Sequence, residues 1–401
     1  MTPPTQPISQ ADLRGSTQTV TNLAFGANLG ALNTPINLVD SVGGGELKLA
    51  GSVSYLSGSS INNSNGQATI SVTVDLNGGD RSFLISDSAA TSVDMLVNGP
   101  IINSVGTAGI LKNNSTSVLA LAGTNTYNGA TTINGGTLQI GGAGLLGSGS
   151  YAANINLGNG ATLRYSSSAA QTLSGRILSA GSLTKDTSSS SILTLSGANN
   201  YTGTTTVSAG LINLNAVETA GISGPLGNPA TPANSIVLSG GGLQLSAINT
   251  YDYTTSGRLQ LADGSTGTID TGGQNVTFAN ALGVGSLKTG ALTKQGAGTL
   301  TLSGANTYTG NTTISGGTLA LNGSGSLAST SIAVTTNATF DVSAISGSGY
   351  TLPAGSLTLR VDKTGAALTQ GQMVLGAKTL AYAGSLTVVS NVNSAAFGTG
   401  N

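Results

Sequence analysis

LTLSGANTYTGNTTISGGTLAL, residues 300–321, is a phrase that the chain writes three times: LALAGTNTYNGATTINGGTLQI fills 119–140 and LTLSGANNYTGTTTVSAGLINL fills 193–214. A unit of this size that recurs marks a solenoid, because one unit has too little apolar surface to fold alone and must stack on its neighbours. Within each phrase, short stretches of alternating apolar and small polar residues are broken by Asn, Gly, Ser or Ala. That is strand chemistry punctuated by turns, and each phrase reads as about one coil of a β-helix.

After each phrase comes a second recurrent pattern: INLGNGATLRY from Ile155, IVLSGGGLQLS from Ile236 and IAVTTNATFDV from Ile332. These read as the next coil. Leu319 and Phe340 hold equivalent places in successive patterns, as do Ile314 and Val334, so equivalent strands are expected to stack with a period of about 20 residues. The phrases begin at 119, 193 and 300, which leaves room between them for divergent coils. Coils of about 20 residues, each rising about 4.8 Å, give an expected rod of roughly 70 to 95 Å. The expected fold class is all-β, a parallel β-helix or β-solenoid with three short strands per coil.

The phrase resembles the autotransporter-associated β-strand repeat, also called the passenger-associated transport repeat, of secreted bacterial surface proteins. The resemblance is carried by Leu300, Leu302, Ser303, Gly304, Ala305, Asn306, Tyr308, Gly310, Thr312, Thr313, Ile314, Gly317, Leu319 and Leu321, most of which recur at the same offsets in the other two phrases. A Leu-Thr-Lys lead-in typical of the family stands at 183–185 and 292–294, and the first phrase departs from it with Leu111 directly before Lys112. The resemblance implies a right-handed helix exported across the outer membrane to act at the cell surface. Family members often carry a C-terminal outer-membrane barrel, but the stretch 322–401 is too short for the typical translocator, so a passenger-like chain without it is expected.

Residues 1–20 are polar, contain Pro3, Pro4 and Pro7, and suit an extended arm or cap, since proline cannot donate to a ladder. The β-helix is expected over 21–384, with 385–401 as a terminal strand, cap or tail. Pro225, Pro229 and Pro232 mark a loop projecting from the coils. The opening MTPPTQPISQADLRGS has neither the basic nor the apolar region of a secretory signal.

Charged residues make up only 7% of the chain and the formal net charge is -1, which leaves no electrostatic footprint for nucleic acid or an anionic membrane. No run approaches the roughly 20 apolar residues of a spanning helix. Disorder is also disfavoured, because the apolar residues recur at period two and offer patterned surface to bury. Histidine and cysteine are absent, which removes Ser-His triads, thiol nucleophiles, disulfides and His-based metal sites.

The candidate site residues are the repeat corners Asn125, Tyr127 and Gly129, Asn199, Tyr201 and Gly203, and Asn306, Tyr308 and Gly310. Asn satisfies unpaired backbone groups in a turn, while Tyr is expected to cover the corner and leave its hydroxyl free. Positive φ in tight turns is the expected reason for the corner glycines and for Gly135-Gly136 and Gly316-Gly317. A row of sugar-binding aromatics is the functional alternative, weakened by the lack of Trp. Asp252, Asp263 and Asp270 with Arg258 are the candidates for carboxylate catalysis of the kind polysaccharide-acting β-helices use, against the simpler reading as turn residues. Scattered acids without an EF-hand or nonapeptide pattern give no metal site, and no cofactor is expected. Asn113, Asn275, Asn311 and Asn337 open N-x-[ST] triplets, which a chain rich in these residues produces by chance.

The expected function is a non-catalytic, secreted or cell-surface structural or adhesive β-solenoid rod. Its partners would be itself, end to end or laterally into a filament, or surface glycans. A polysaccharide-binding or polysaccharide-degrading β-helix is the alternative.

Overall fold

Parallel strands need a long crossover between partners, and in this chain the crossover is the remainder of a coil. The computed structural model describes residues 10–25, 36–55, 67–88, 91–114, 116–187, 190–229, 232–329, 331–352, 356–364, 367–382 and 385–391. Pro3, Pro4, Pro7 and the tail from 392 lie outside the described residues. The chain divides into two compact units, Met1–Thr205 with Thr219–Pro229, and Thr206–Glu218 with Ala230–Asn401. Each is a stack of short strands wound as a parallel β-helix.

In the first unit one sheet takes in turn Gln10–Asp12, Ile36–Val39, Ala68–Ile70, Met95–Val97, Val118–Leu121, Thr137–Ile140, Thr162–Tyr165 and Ser182–Lys185. A second takes Leu23–Phe25, Val53–Tyr55, Arg81–Ile85, Ile110–Asn113, Thr131–Ile133, Ile155–Leu157 and Ile177–Ser179. Shorter strands such as Thr73–Asp75 and Ile101–Ile102 close the third side. Coil length varies: the coil that brings Leu119 against Leu138 is short, and the one that brings Leu38 against Ile70 is half as long again or more. The expected period therefore describes the recognised phrases, and longer coils put the surplus into turns.

The second unit repeats the plan. Ala291–Gln295, Thr299–Leu302 and Ala305–Asn306 form one coil, followed by Thr312–Ile314, Gly317–Gly323 and Ser326–Leu327, then by Ser331–Val334, Ala338–Ile345 and Gly349–Leu352. Leu319 pairs with Phe340 and Ile314 with Val334, as their spacing implies. The patterns from Ile155 and Ile332 are next coils, pairing with Thr131 and Thr312. Among the described strands a hairpin breaks the parallel rule: the far half of Ser356–Thr364 pairs antiparallel with Ala367–Gln370.

Alternation sends every second side chain inward, and parallel register stacks like positions on one another. Met95, Leu119, Leu138, Leu163 and Leu183 form one such column in the first unit, all fully buried or nearly so. Each aliphatic side chain removed from water contributes about 1.5–3 kcal/mol, and truncation to Ala within the column costs about 2–5 kcal/mol. The proline-containing stretch after 214 leaves the strands: Pro225 lies in a turn, and Val217 and Ile222 are exposed there.

Candidate functional site

A β-helix turns sharply between sheets, and at each corner the regular ladder leaves buried backbone groups short of partners. Asn125 resolves this with one side chain. Its Oδ1 accepts the amide hydrogen of Ile101, one coil earlier, at 2.9 Å, while its Nδ2 donates to the carbonyls of Gly123 and, one coil later, Leu145, both at 2.9 Å. Asn306 repeats this with Leu282 (2.9 Å), Gly304 (2.9 Å) and Ser326 (3.1 Å). Asn199 binds Ile177 and Pro225 at 2.7 and 2.8 Å. All three side chains are buried. Each asparagine thus ties neighbouring coils together through groups that would cost about 1–3 kcal/mol if left unpaired.

The tyrosines differ from the expectation. Their hydroxyls are not free, because the rings point into the stack: Tyr127, Tyr201 and Tyr308 are at most 1% exposed. A phenol buried among aliphatic side chains needs a polar partner, and the threonine four residues on supplies it: Tyr127 with Thr131 at 2.8 Å, Tyr201 with Thr205 at 2.5 Å and Tyr308 with Thr312 at 2.9 Å. The first pair extends through Tyr151, whose hydroxyl donates to the Gly129 carbonyl at 2.5 Å. Burial raises the Tyr127 and Tyr308 hydroxyls above the usual tyrosine range.

The glycine expectation is corrected in part. Gly129, Gly203 and Gly310 are not among the positive-φ glycines. They are glycine because another coil's backbone leaves no room: a Cβ on Gly129 would lie 2.3 Å from the carbonyl carbon of Ala108, and one on Gly310 would lie 2.4 Å from the Gly290 oxygen. Positive φ does apply at Gly136 (+64°) and Gly317 (+60°).

Beneath those two turns lies a feature that the corner reading missed. Lys112 and Lys294 occupy inward positions of the stack, Lys112 in register with Phe83 and Ile133, and Lys294 with Ile269 and Ile314. Both are fully buried. The Lys112 ammonium reaches the carbonyls of Asn113 (3.0 Å), Asn114 (3.1 Å) and Gly135 (3.1 Å) and the Ser117 hydroxyl (2.8 Å). Lys294 reaches the carbonyls of Gln295 (3.0 Å), Gly296 (2.8 Å) and Gly316 (2.9 Å). Lys185, also buried, donates to the Thr187 carbonyl, and its ammonium stands 5.7 Å from the Tyr165 ring centre. Burial lowers all three ammonium pKa values to about 8, opposed by Asp94, Asp186 and Asp270 respectively. A sequence signal existed: in each lead-in the lysine has the same parity as the apolar residues Ile110, Leu183 and Leu292, so alternation places it inside.

The catalytic candidates do not converge. Asp252 accepts the backbone amides of Thr254 and Ala279, both at 2.8 Å; Asp263 those of Leu287 (2.9 Å) and Thr289 (3.1 Å); and Asp270 that of Gly272 (2.8 Å). Each holds a different turn. Arg258 pairs instead with Glu218 at 2.6 Å, where the Tyr253 hydroxyl also donates to the carboxylate at 3.1 Å. Burial raises the Glu218 carboxyl above its ordinary range, against the pull of Arg258. Among the described residues no group of three or more His, Cys, Asp or Glu could hold a metal ion. No helix there is long and apolar enough to cross a membrane.

Asparagine, tyrosine and lysine thus fasten the coils, and the chain's similarity to known proteins falls on the same segments. The passenger-associated-transport-repeat family model matches residues 114–140, 188–214 and 292–321, which include all three corners and two of the buried lysines' turns. The BmaC autotransporter adhesin of Brucella suis biovar 1 (strain 1330) is 30% identical over 354 residues. That alignment covers 78% of this chain and 10% of the relative, so the chain spans about a tenth of that protein's length. No solved structure matches.

Proposed function

We propose that this chain, a passenger-like autotransporter repeat protein, serves at the bacterial cell surface as a non-catalytic adhesive and structural β-solenoid. The observation that carries the reading is the use to which its polar residues are put. The acids that a hydrolase would need are spent on separate turns, and the corner residues are spent on holding coils together. The similar Brucella protein is named an adhesin, which supports the adhesive part. A scaffold whose corner groups are paired across coils resists proteolysis and presents its exposed turns to partners.

Self-association into fibres is the finer part of the proposal. It is supported by in-register parallel ladders and by a net charge of -1, which opposes close approach only weakly. Display of the chain on a non-adherent bacterium, with attachment to host cells and extracellular matrix counted, tests adhesion. Attachment above the empty-display strain supports the reading, and none under any condition contradicts it. Electron microscopy of the purified chain at high concentration tests the fibre.

A further inference from the structure

We propose that the cleft beside the hairpin of the second unit is a binding groove for a neutral saccharide, the chemical class of ligand an adhesive surface of this kind would take. This deepens the adhesive reading and rests on it. The chain leaves its parallel stacking at Ser356–Thr364, folds back antiparallel through Ala367–Gln370, and rejoins the coil where Gln372 pairs with Thr339. The base of the arm is fastened through backbone groups, the Asn337 N–H donating to the Gln370 main-chain carbonyl at 3.1 Å and the Gly371 N–H to that of Arg360 at 2.8 Å. Between arm and coil a cleft of about 450 Å³ opens, lined by Asn337, Ala338, Thr339, Thr369, Gln370 and Gln372. That volume lies within the range of small-molecule sites, about 300–1,000 Å³.

The lining is chemically selective. None of the six described lining residues is charged, so they offer no counter-ion to an anionic or a cationic ligand. Three of the lining residues, Asn337, Gln370 and Gln372, carry primary amides, each able to donate and accept, as the hydroxyls of a sugar require. Unlike Asn125, Asn199 and Asn306, the side chains of Asn337, Gln370 and Gln372 make no hydrogen bond among the described residues, so their capacity is open to a ligand. Asn337 sits in the left-handed backbone region at φ +61°, a conformation most side chains avoid and asparagine tolerates. With no aromatic platform among these six residues, single-site affinity is weak, and repeated presentation of the chain on a surface supplies avidity.

The test is retention of the purified full chain on immobilised neutral oligosaccharides of glucose, galactose and mannose, beside sialylated and sulfated ones, at low and high salt. The proposal expects retention on a neutral glycan that is unchanged by salt. It also expects at least a tenfold loss in the double variant Asn337→Gly, Gln372→Ala with the melting curve preserved, glycine being chosen because it accepts the positive φ at 337. If that variant does not fold, Gln370→Ala, an exposed position, takes its place. No neutral glycan retained, salt-sensitive retention of anionic glycans alone, or retention untouched by the variants would each overturn it. Cells that attach through the displayed chain while the chain retains no neutral glycan would overturn the groove and leave adhesion standing.

Discussion

The side-chain oxygen of Asn125 accepts the backbone amide hydrogen of Ile101 at 2.9 Å, linking residues 24 positions apart that lie on neighbouring coils. Removing the side-chain amide leaves the Ile101 amide without this acceptor and takes a donor from the Gly123 and Leu145 carbonyls, of which Gly123 keeps the Leu145 amide at 3.1 Å. We expect Asn125→Ala and Asn306→Ala each to destabilise the chain by about 2–4 kcal/mol, at the upper end for a lost buried polar partner. Denaturant unfolding followed by circular dichroism checks this. A change in both no larger than the about 0.5 kcal/mol typical of surface substitutions would refute it.

Tyr308 separates packing from hydrogen bonding. Tyr308→Phe keeps the ring and leaves the Thr312 hydroxyl without its 2.9 Å partner, for an expected cost of about 0.5–1.5 kcal/mol. Tyr308→Ala also opens a cavity and is expected to cost about 3–5 kcal/mol. Equal effects of the two would mean that the ring does not pack as described.

The buried lysines give a pH dependence of definite sign. Lys294 titrates at about 8 in the folded chain against 10.5 when free, so between those values the unfolded chain holds a proton that the folded chain has released. Stability relative to Lys294→Met is expected to rise as pH climbs from about 8 towards 10.5. Melting curves of both proteins across that window decide it. A fall in the difference would show that the carbonyl cage holds the proton more tightly than burial expels it.

Turn carboxylates act at the acid end. Asp263, bonded by the amides of Leu287 and Thr289, has its pKa lowered from 3.8 chiefly by the Leu287 bond. Its contribution is therefore present above pH 3.8 and lost as pH falls through the lower, folded value. Asp263→Asn is expected to lower stability near neutral pH and to converge on the parent chain at the acid end. A constant gap between the two across the acid range would contradict this.

Steric closure explains the corner glycines. Gly310→Ala places a methyl carbon 2.4 Å from the Gly290 carbonyl oxygen, and backbone cannot give way as a side chain does. A loss of about 1–3 kcal/mol or more is expected on thermal or denaturant unfolding, with no relief from a larger or more polar substituent. An unchanged midpoint would show that the neighbouring coil yields.

Much of this was legible in the residues. Period-two alternation and the matched spacings of Ile314 with Val334 and Leu319 with Phe340 fix strands and register, because a strand's faces are set by parity alone. What parity does not reveal is what a polar side chain meets at a corner. Tyr127 reads as a surface cover because Asn and Gly flank it, yet its hydroxyl finds Thr131 inside. Lys112 reads as part of a lead-in, although its parity with Ile110 already places it in the core. Its carbonyl partners come from turns up to 23 residues away and have no sequence signature. The groove at Asn337 is hidden for the same reason, since it depends on where the chain abandons parallel stacking.

The central claim is that the repeated phrase fastens coils and does not itself contact a ligand. Its most direct test is the paired measurement of thermal unfolding and cell attachment for the chain carrying Asn306→Ala, with attachment assayed below the lowered transition. We expect the melting temperature to drop while attachment persists. An unchanged melting temperature with attachment abolished would contradict the account and make the phrase itself the binding surface.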